Sequence, residues 1–166
     1  MPELNATAAA LLGLLHDGPM TGGQLVSAAA QRFGSFFGVT RSQVYRELPA
    51  LANAGLLRLG KQGARSSQQY AITPAGKKAF RAWLSSAVEP DPVRSPLILR
   101  LVYAANLPGK QRVELVEQAR QAYTSRLEAA RSAVRAATDP YAKAAAEFAV
   151  SHSRAVLKLL DSIPSD

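Results

Sequence analysis

The chain has 166 residues, no cysteine and a formal net charge of +8 at pH 7. The absence of cysteine excludes disulfide frameworks, thiolate nucleophiles and cysteine-based zinc or iron–sulfur sites, and it fits a reducing cytoplasm. No apolar run approaches the ~20 residues that span a bilayer, and the apolar run 8–15 lacks the preceding Lys or Arg of a signal peptide. We therefore expect a soluble, cytoplasmic protein with no membrane partner.

The positive charge is concentrated in one part of the chain. Between Asp17 and Glu89 there are nine Lys or Arg residues and a single acid, Glu47. Residues 1–86 carry a net charge of +6, whereas residues 87–166 carry +2. A local excess of this kind is typical of a surface that contacts polyphosphate. The N-terminal half is therefore expected to bind nucleic acid.

The apolar spacing predicts two helices at the start of the chain. The first begins near Asn5 and carries one apolar stripe, formed by Ala8, Leu11, Leu12 and Leu15. Thr21 and Gln24 then have the spacing of a capping box, in which each side chain bonds the backbone amide of the other residue. A second helix is expected over about 21–33.

A third helix is predicted over about 40–53. Thr40 and Gln43 repeat the capping-box spacing. Its inward row is expected to be Val44, Leu48 and Leu51. Pro49 removes one backbone hydrogen bond, so we expect a bend near the end of this helix.

The next segment predicts a two-stranded hairpin and a fourth helix. Alternating apolar residues flank the stretch 60–68, whose Gly, Ser, Lys, Arg and Gln residues indicate a basic tip. Thr73 and Pro74 supply the cap and the first residue of the fourth helix. Its apolar row is expected to be Phe80, Trp83, Leu84 and Ala87.

Beyond residue 88 the pattern is helical throughout. The dense apolar run 96–106 predicts a short segment that is buried on most sides. A long helix over about 108–137 has one apolar face: Val116, Ala119, Tyr123, Leu127, Ala130, Val134 and Ala137. A last helix, capped by Asp139 and Pro140, has another: Ala145, Phe148, His152, Ala155, Leu159 and Ile163. Two such helices in so small a unit predict packing against a second subunit.

The order and spacing of several motifs resemble those of the PadR family of bacterial transcription regulators. They are Leu11-Leu12-Gly13-Leu14-Leu15, Gly18-Pro19, Thr21-Gly22, Ser42-Gln43-Val44-Tyr45, Gly55-Leu56-Leu57 and Tyr70-Ala71-Ile72-Thr73-Pro74-Ala75-Gly76. The family usually has an aromatic residue where this chain has Gly23. The resemblance covers about residues 8–86 and implies a homodimer that binds operator DNA, mostly as a repressor, with release by a small-molecule effector in many members.

Together these features predict a mostly α-helical protein with a small β-hairpin wing. We expect a winged helix-turn-helix DNA-binding domain over residues 1–87, a linker over 88–95 and a helical dimerisation region over 96–166. The third helix would enter the major groove of double-stranded DNA, because its first turns carry donors for phosphates and base edges: Arg41, Ser42, Gln43, Tyr45 and Arg46. Gln43 could instead serve only as a cap, and the two arginines could form a solvated face.

The predicted wing carries a second set of candidate DNA contacts. Lys61, Gln62 and Arg65, with Ser66 and Ser67, would contact the backbone or an adjacent minor groove and contribute affinity more than base preference. A basic loop that only faces solvent is the alternative.

Four ring-bearing residues are candidates for an effector site or a dimer seam: Trp83, Tyr103, Tyr123 and His152. Trp83 could line a site for a planar ligand or belong to the core. His152, on an apolar face, could be pH-sensitive or a satisfied interface residue. His16 and His152 stand far apart with no matched ligand set, so no metal site is expected.

A dimeric, sequence-specific transcriptional regulator, most simply a repressor, is the function that the sequence predicts. A winged-helix protein-interaction adaptor without DNA binding is the alternative. No nucleophile elbow, phosphate-cradling glycine loop or metal cluster is present in the sequence, so we expect neither an enzyme with catalytic residues nor a cofactor.

Overall fold

The computed structural model of the chain describes residues 4–34, 36–62, 68–88, 90–91 and 93–164, although the side chains at 61 and 62 are outside the described set. The chain divides into two compact units, Met1–Glu89 and Pro90–Asp166. The described residues are mostly helical with one small antiparallel sheet, so the predicted fold class is confirmed.

The described residues of the N-terminal unit form four α-helices and three strands. The helices are α1 (Ala6–Leu14), α2 (Gly22–Phe33), α3 (Arg41–Asn53) and α4 (Pro74–Leu84), and the strands are β1 (Met20–Thr21), β2 (Leu57–Gln62) and β3 (Gln68–Ile72). Each helix begins after a side-chain cap, provided in chain order by Asn5, Thr21, Thr40 and Thr73. Both predicted capping boxes are present.

The sheet has three strands where the sequence predicted two. The strand order is β1-β3-β2, and both pairings are antiparallel. Met20 and Leu59 pair with Tyr70 from opposite sides, so the middle strand is β3. The sequence pattern missed β1 because two residues are too few to show a period-2 alternation.

Helix α1 is surrounded by the other elements of its unit. The predicted stripe is buried, but Ala9 and Leu14 are buried as well, so one stripe was too narrow a description. A helix that is apolar on all sides belongs at the centre of a core. Accordingly, α1 contacts each of the other three helices of the unit.

Helix α3 buries the predicted row of Val44, Leu48 and Leu51. It continues through Pro49 to Asn53. Pro49 and Tyr45 are both exposed, so the carbonyl of Tyr45 that loses its helical partner lies on the solvent side of the helix.

Helix α4 departs from its prediction. It ends at Leu84, so Ala87 lies beyond it, and Leu84 is 60% exposed. The buried residues are Gly76 and Ala79, which are small enough to let the helix approach its neighbours closely. The sequence analysis assigned the packed face from the large apolar side chains, whereas the residues that are buried are the small Gly76 and Ala79.

The C-terminal unit contains α5 (Pro96–Val102), α6 (Gly109–Ala136) and α7 (Pro140–Asp161). Helices α6 and α7 pack along one another. Every residue of the predicted α6 face is buried or half-buried, which confirms that face. The prediction for α5 was wrong: none of its residues is buried, because the elements packed on it within the described chain cover only part of its apolar surface.

Helix α7 has two apolar faces rather than one. Ala149, Ser153 and Leu160 are buried. The predicted face is shifted by one residue, about 100° around the helix, and four of its members are exposed: Phe148, His152, Ala155 and Leu159. The sequence therefore identified the uncovered face and missed the packed one. No helix in the described part of the chain is long and apolar enough to cross a membrane.

Candidate nucleic-acid interface

The first turn of α3 presents a pre-ordered group of side chains to solvent. Arg41 and Ser42 follow the cap directly and are exposed. The guanidinium carbon of Arg41 lies 5.5 Å from the ring centroid of Tyr45, one turn later. Stacking of a cation on an aromatic face restricts both side chains and leaves the guanidinium hydrogens available at the ring edge.

Tyr45 connects this surface to α2. Its side chain is 48% exposed, and a Cβ atom at Gly22 would lie 3.0 Å from two of its ring carbons. The ring therefore occupies the space that the missing side chain of Gly22 leaves. Tyr45 therefore packs between two helices and is also partly exposed to solvent.

Gln43 is engaged within its own helix. Its Oε1 atom accepts hydrogen bonds from the Thr40 amide at 2.8 Å and the Thr40 hydroxyl at 3.0 Å. Recognition of adenine by a glutamine uses both the amide oxygen and the amide nitrogen. Such a contact would require the capping box to open, so the geometry favours the capping role that the sequence left open.

Arg46 is 70% exposed at its side chain, and its partner is the acid that follows it. Its Nη2 and Nε atoms lie 3.2 Å and 3.4 Å from Oε1 of Glu47, whose side chain is only 11% exposed. The second oxygen of Glu47 accepts from Nδ2 of Asn5 at 3.3 Å. The carboxylate therefore ties the recognition helix to the start of α1.

Glu47 is the residue of this surface that sequence reasoning missed. The signal was present, because Val44, Glu47, Leu48 and Leu51 fall at i, i+3, i+4 and i+7. An acid in an inward row needs a partner, and the sequence offered none nearby other than Arg46. The amide of Asn5, 42 residues away, could not have been identified from spacing.

The wing is described only in part. Gly60 lies in β2, and its carbonyl accepts from Nε2 of Gln68 at 2.9 Å across the hairpin. The backbone of Gln62 pairs with Gln68, and the pairing is irregular between Leu59 and Gln62. The side chains of Lys61 and Gln62 lie outside the described residues, as do Arg65, Ser66 and Ser67 entirely.

The charge of the N-terminal unit remains largely unneutralised. Arg32 pairs with Asp17 at 2.8 Å, and Arg46 pairs with Glu47. Several other cations among the described residues are exposed: Arg41, Arg58, Lys77, Lys78 and Arg81. Arg41 lies on α3 and Arg58 at the base of the wing, whereas the other three lie on α4. Exposed positive charge of this kind suits a polyanionic partner.

The four ring-bearing candidates separate in the structure. Tyr123 and His152 stack in the C-terminal unit, with ring centroids 6.2 Å apart, and Phe148 contacts the same imidazole edge-on. Trp83 stacks on Phe80 in the N-terminal unit. Tyr103 is 63% exposed just after α5. Only Tyr123 and His152 are brought together, and Phe148 is a third member that was not singled out.

The C-terminal unit also contains a cavity of about 570 Å³. Apolar residues of α5, α6 and α7 line it, including Ile98, Val116 and Leu159, while Arg120 and Asp161 pair at its edge. None of the four ring-bearing candidates is among the lining residues. Across the described residues, no three His, Cys, Asp or Glu side chains are grouped to hold a metal ion.

Comparison with known proteins shows which regulators this chain is similar to. Residues 11–82 match the model of the transcriptional regulator PadR-like family. The negative transcriptional regulator PadR of Bacillus subtilis (strain 168) is 27% identical over 146 residues, which cover 84% of this chain and 80% of the relative. The chain is therefore similar to the PadR-like family of transcriptional regulators over most of its N-terminal unit.

Solved structures of PadR-like proteins share the fold. The structure of Bacillus subtilis PadR in complex with operator DNA is 22% identical, with 95% of this chain and 96% of that chain covered and a TM-score of 0.74. The structure of the same regulator in complex with p-coumaric acid is 20% identical, with 96% and 99% covered and a TM-score of 0.56. At these identities the likeness concerns the PadR fold alone.

Proposed function

We propose that this PadR-like protein is a homodimeric, sequence-specific DNA-binding regulator that acts as a repressor in the cytoplasm. One observation carries the proposal: the capped start of α3 is exposed and presents Arg41, Ser42, Tyr45 and Arg46 to solvent. The match of residues 11–82 to the PadR-like family model and the operator complex of Bacillus subtilis PadR support the same assignment. Repression follows the description of that relative as a negative regulator.

Helix α3 is the element that would enter the major groove. A recognition helix makes its base contacts near its N-terminus, where its side chains reach the groove floor. Arg46 supplies the donors that guanine O6 and N7 accept, and the Arg41 guanidinium would contact phosphate. Lys61, Gln62 and Arg65 of the wing would add phosphate contacts that contribute affinity and register.

The second copy would cover the exposed apolar surface of the C-terminal unit. Phe148 and Leu159 of α7 are 58% and 37% exposed, and Leu99 and Val102 of α5 are 61% and 69% exposed. Apolar side chains in such numbers on two neighbouring segments are typical of an interface. Tyr123 and His152 would belong to this dimer seam, since His152 contacts Phe148 and Tyr123 stacks on His152.

A small-molecule effector would act through the C-terminal unit. The cavity lined by α5, α6 and α7 has the size of a ligand site, since such sites span about 300–1,000 Å³. Its wall includes both α5 and α7, so a bound molecule would act on the segments proposed to form the dimer. Trp83 and Tyr103 remain candidates for the seam or for a second part of the effector site.

The test is selection of bound sequences from a random pool of duplex DNA. We expect a pseudo-palindrome whose half-sites lie about 34–36 Å apart, and affinity that falls steeply with salt. Arg46→Ala should relax the preference at one base position by about 1–3 kcal/mol, while Lys61→Ala should weaken binding to all duplexes about equally. Enrichment of no sequence, with no binding at low salt, contradicts the proposal.

Effector binding is tested by thermal denaturation with p-coumaric acid, the ligand of the Bacillus subtilis relative. A molecule that binds only the folded state raises the melting temperature. Val116→Phe, which adds volume to the cavity wall, should abolish that rise and leave DNA binding intact. An unchanged rise in this variant would place the ligand elsewhere.

A further inference from the structure

Glu47 is the one acid in a basic stretch of more than seventy residues, and it lies directly behind the proposed DNA-reading surface. Its side chain is 11% exposed, whereas that of its neighbour Arg46 is 70% exposed. A buried carboxylate on a DNA-facing helix repels phosphate and is costly to bury, so its presence there suggests a specific structural role. The contacts of Glu47 with Arg46 and Asn5 indicate that role.

The contact between Arg46 and Glu47 engages one edge of the guanidinium group. Nε and Nη2 both point at Oε1 of Glu47, at 3.4 Å and 3.2 Å. A guanidinium has five N–H donors, so this side-on contact leaves one hydrogen on Nη2 and two on Nη1. The outer edge formed by Nη1 and Nη2 is therefore available, and it is the edge that pairs with O6 and N7 of guanine.

The carboxylate itself is held in place from the other side. Oε2 of Glu47 accepts from Nδ2 of Asn5 at 3.3 Å. Oδ1 of the same Asn5 accepts from the Ala8 amide at 2.8 Å and caps α1. Because α1 is the central helix of its unit, the orientation of Arg46 is linked to the core through two side chains.

We propose that Glu47 is a positioning residue for base recognition: it holds Arg46 so that its outer edge faces a guanine, and it thereby makes guanine the preferred base at one position of each half-site. The inference rests on the proposed DNA binding. Its energetic basis is pre-organisation, because an unrestrained arginine must lose side-chain entropy when it binds. A repulsion from phosphate is the accompanying cost, and it acts equally on every DNA sequence.

The experiment compares base preference in four proteins: the wild type, Arg46→Ala, Glu47→Gln and the double variant. The relevant position is the one at which Arg46→Ala removes the preference for guanine. We expect the wild type to prefer guanine there by roughly ten- to a hundredfold, and Glu47→Gln to reduce that ratio by about three- to tenfold. In the Arg46→Ala background, Glu47→Gln should have no effect on the ratio.

Asn5→Ser provides a second route to the same test if Glu47→Gln unfolds the protein. Serine keeps the oxygen that caps α1 and removes the amide that restrains Glu47, so the guanine preference should fall while binding to random DNA persists. An unchanged guanine preference in both variants, with or without a uniform change in affinity for all sequences, overturns the inference. Absence of binding to any DNA by the wild type overturns the proposed function instead.

Discussion

The ring of Tyr45 in the recognition helix lies against the backbone of Gly22 at the start of α2. A Cβ atom at Gly22 would meet two ring carbons at 3.0 Å and the phenolic oxygen at 3.2 Å. The neighbouring Gly23 has open space around the equivalent position. Replacing either glycine by alanine changes the helix propensity of α2, but only alanine at Gly22 would move the Tyr45 ring. A comparison of the two variants therefore separates the effect of the Tyr45 position from that of helix propensity.

We expect Gly22→Ala to weaken DNA binding and Gly23→Ala to leave it unchanged. The methyl group at Gly22 displaces the Tyr45 ring and the Arg41 guanidinium stacked on it, so affinity should fall by about 1 kcal/mol or more, the value of one lost contact. At Gly23 the change should only stabilise the fold, by up to about 1 kcal/mol. Titration of selected duplex DNA and thermal melts check both; equal affinities in the two variants would contradict the assigned role.

The two capping boxes provide a second matched comparison. Thr40→Ala and Thr21→Ala each remove the cap of one helix and should each lower the free energy of unfolding by about 1 kcal/mol. Only Thr40 starts the recognition helix, so only Thr40→Ala should also weaken binding to selected DNA. Denaturant melts and DNA titrations give the two quantities. A loss of affinity that is equal in both variants would show that α3 has no special place in binding.

Gly76 is expected to be the least replaceable glycine of the N-terminal unit. A Cβ atom there would lie 2.2 Å from the Leu56 carbonyl oxygen, which accepts from the Thr73 amide at 3.0 Å and anchors α4 to β2. Gly76→Ala should lower the free energy of unfolding by about 1–3 kcal/mol, as overpacking does. Gly109→Ala, with nothing nearer than 3.8 Å, is the control and should not destabilise the protein. Urea denaturation measures both.

The exposed face of α7 predicts a change in oligomeric state. Phe148→Glu places a charge on the apolar face proposed to meet a second copy, so the dimer should dissociate at micromolar concentration and operator affinity should fall. Ser151→Glu introduces the same group at an exposed position on the polar side of α7 and should leave the dimer intact. Light scattering after gel filtration gives the mass. If the Phe148→Glu variant remains dimeric, the dimer seam must lie on another surface.

Local chemistry explains why the helix starts of the N-terminal unit were predictable. The two partners of a capping box are three positions apart, so the pairs Thr21 with Gln24 and Thr40 with Gln43 can be recognised from the sequence alone. The inward row of α3 follows equally from its period. The apolar face of α6 was also predicted from its helical period, and the structure confirms it.

Elements whose character depends on distant neighbours were predicted less well. Strand β1 exists because Met20 and Thr21 pair with β3, almost fifty residues later. The packed face of α7 differs from the predicted one because alanine and serine at Ala149 and Ser153 let α6 approach, and their small side chains give a weak apolar signal. The hydrophobic period of a helix identifies its apolar faces, but it does not show which of those faces packs against a neighbouring helix.

The sequence by itself determined the helix starts, the basic character of the N-terminal unit and the motifs that resemble those of the PadR-like family. Each depends on residues a few positions apart or on composition, so the physics is local. Only the tertiary structure decided that Glu47 lies between Arg46 and Asn5. Among the described basic residues of this unit, Arg32 and Arg46 have acidic partners, whereas Arg41 stacks on Tyr45. Burial and the partners of a charge depend on contacts between segments that are distant in the sequence.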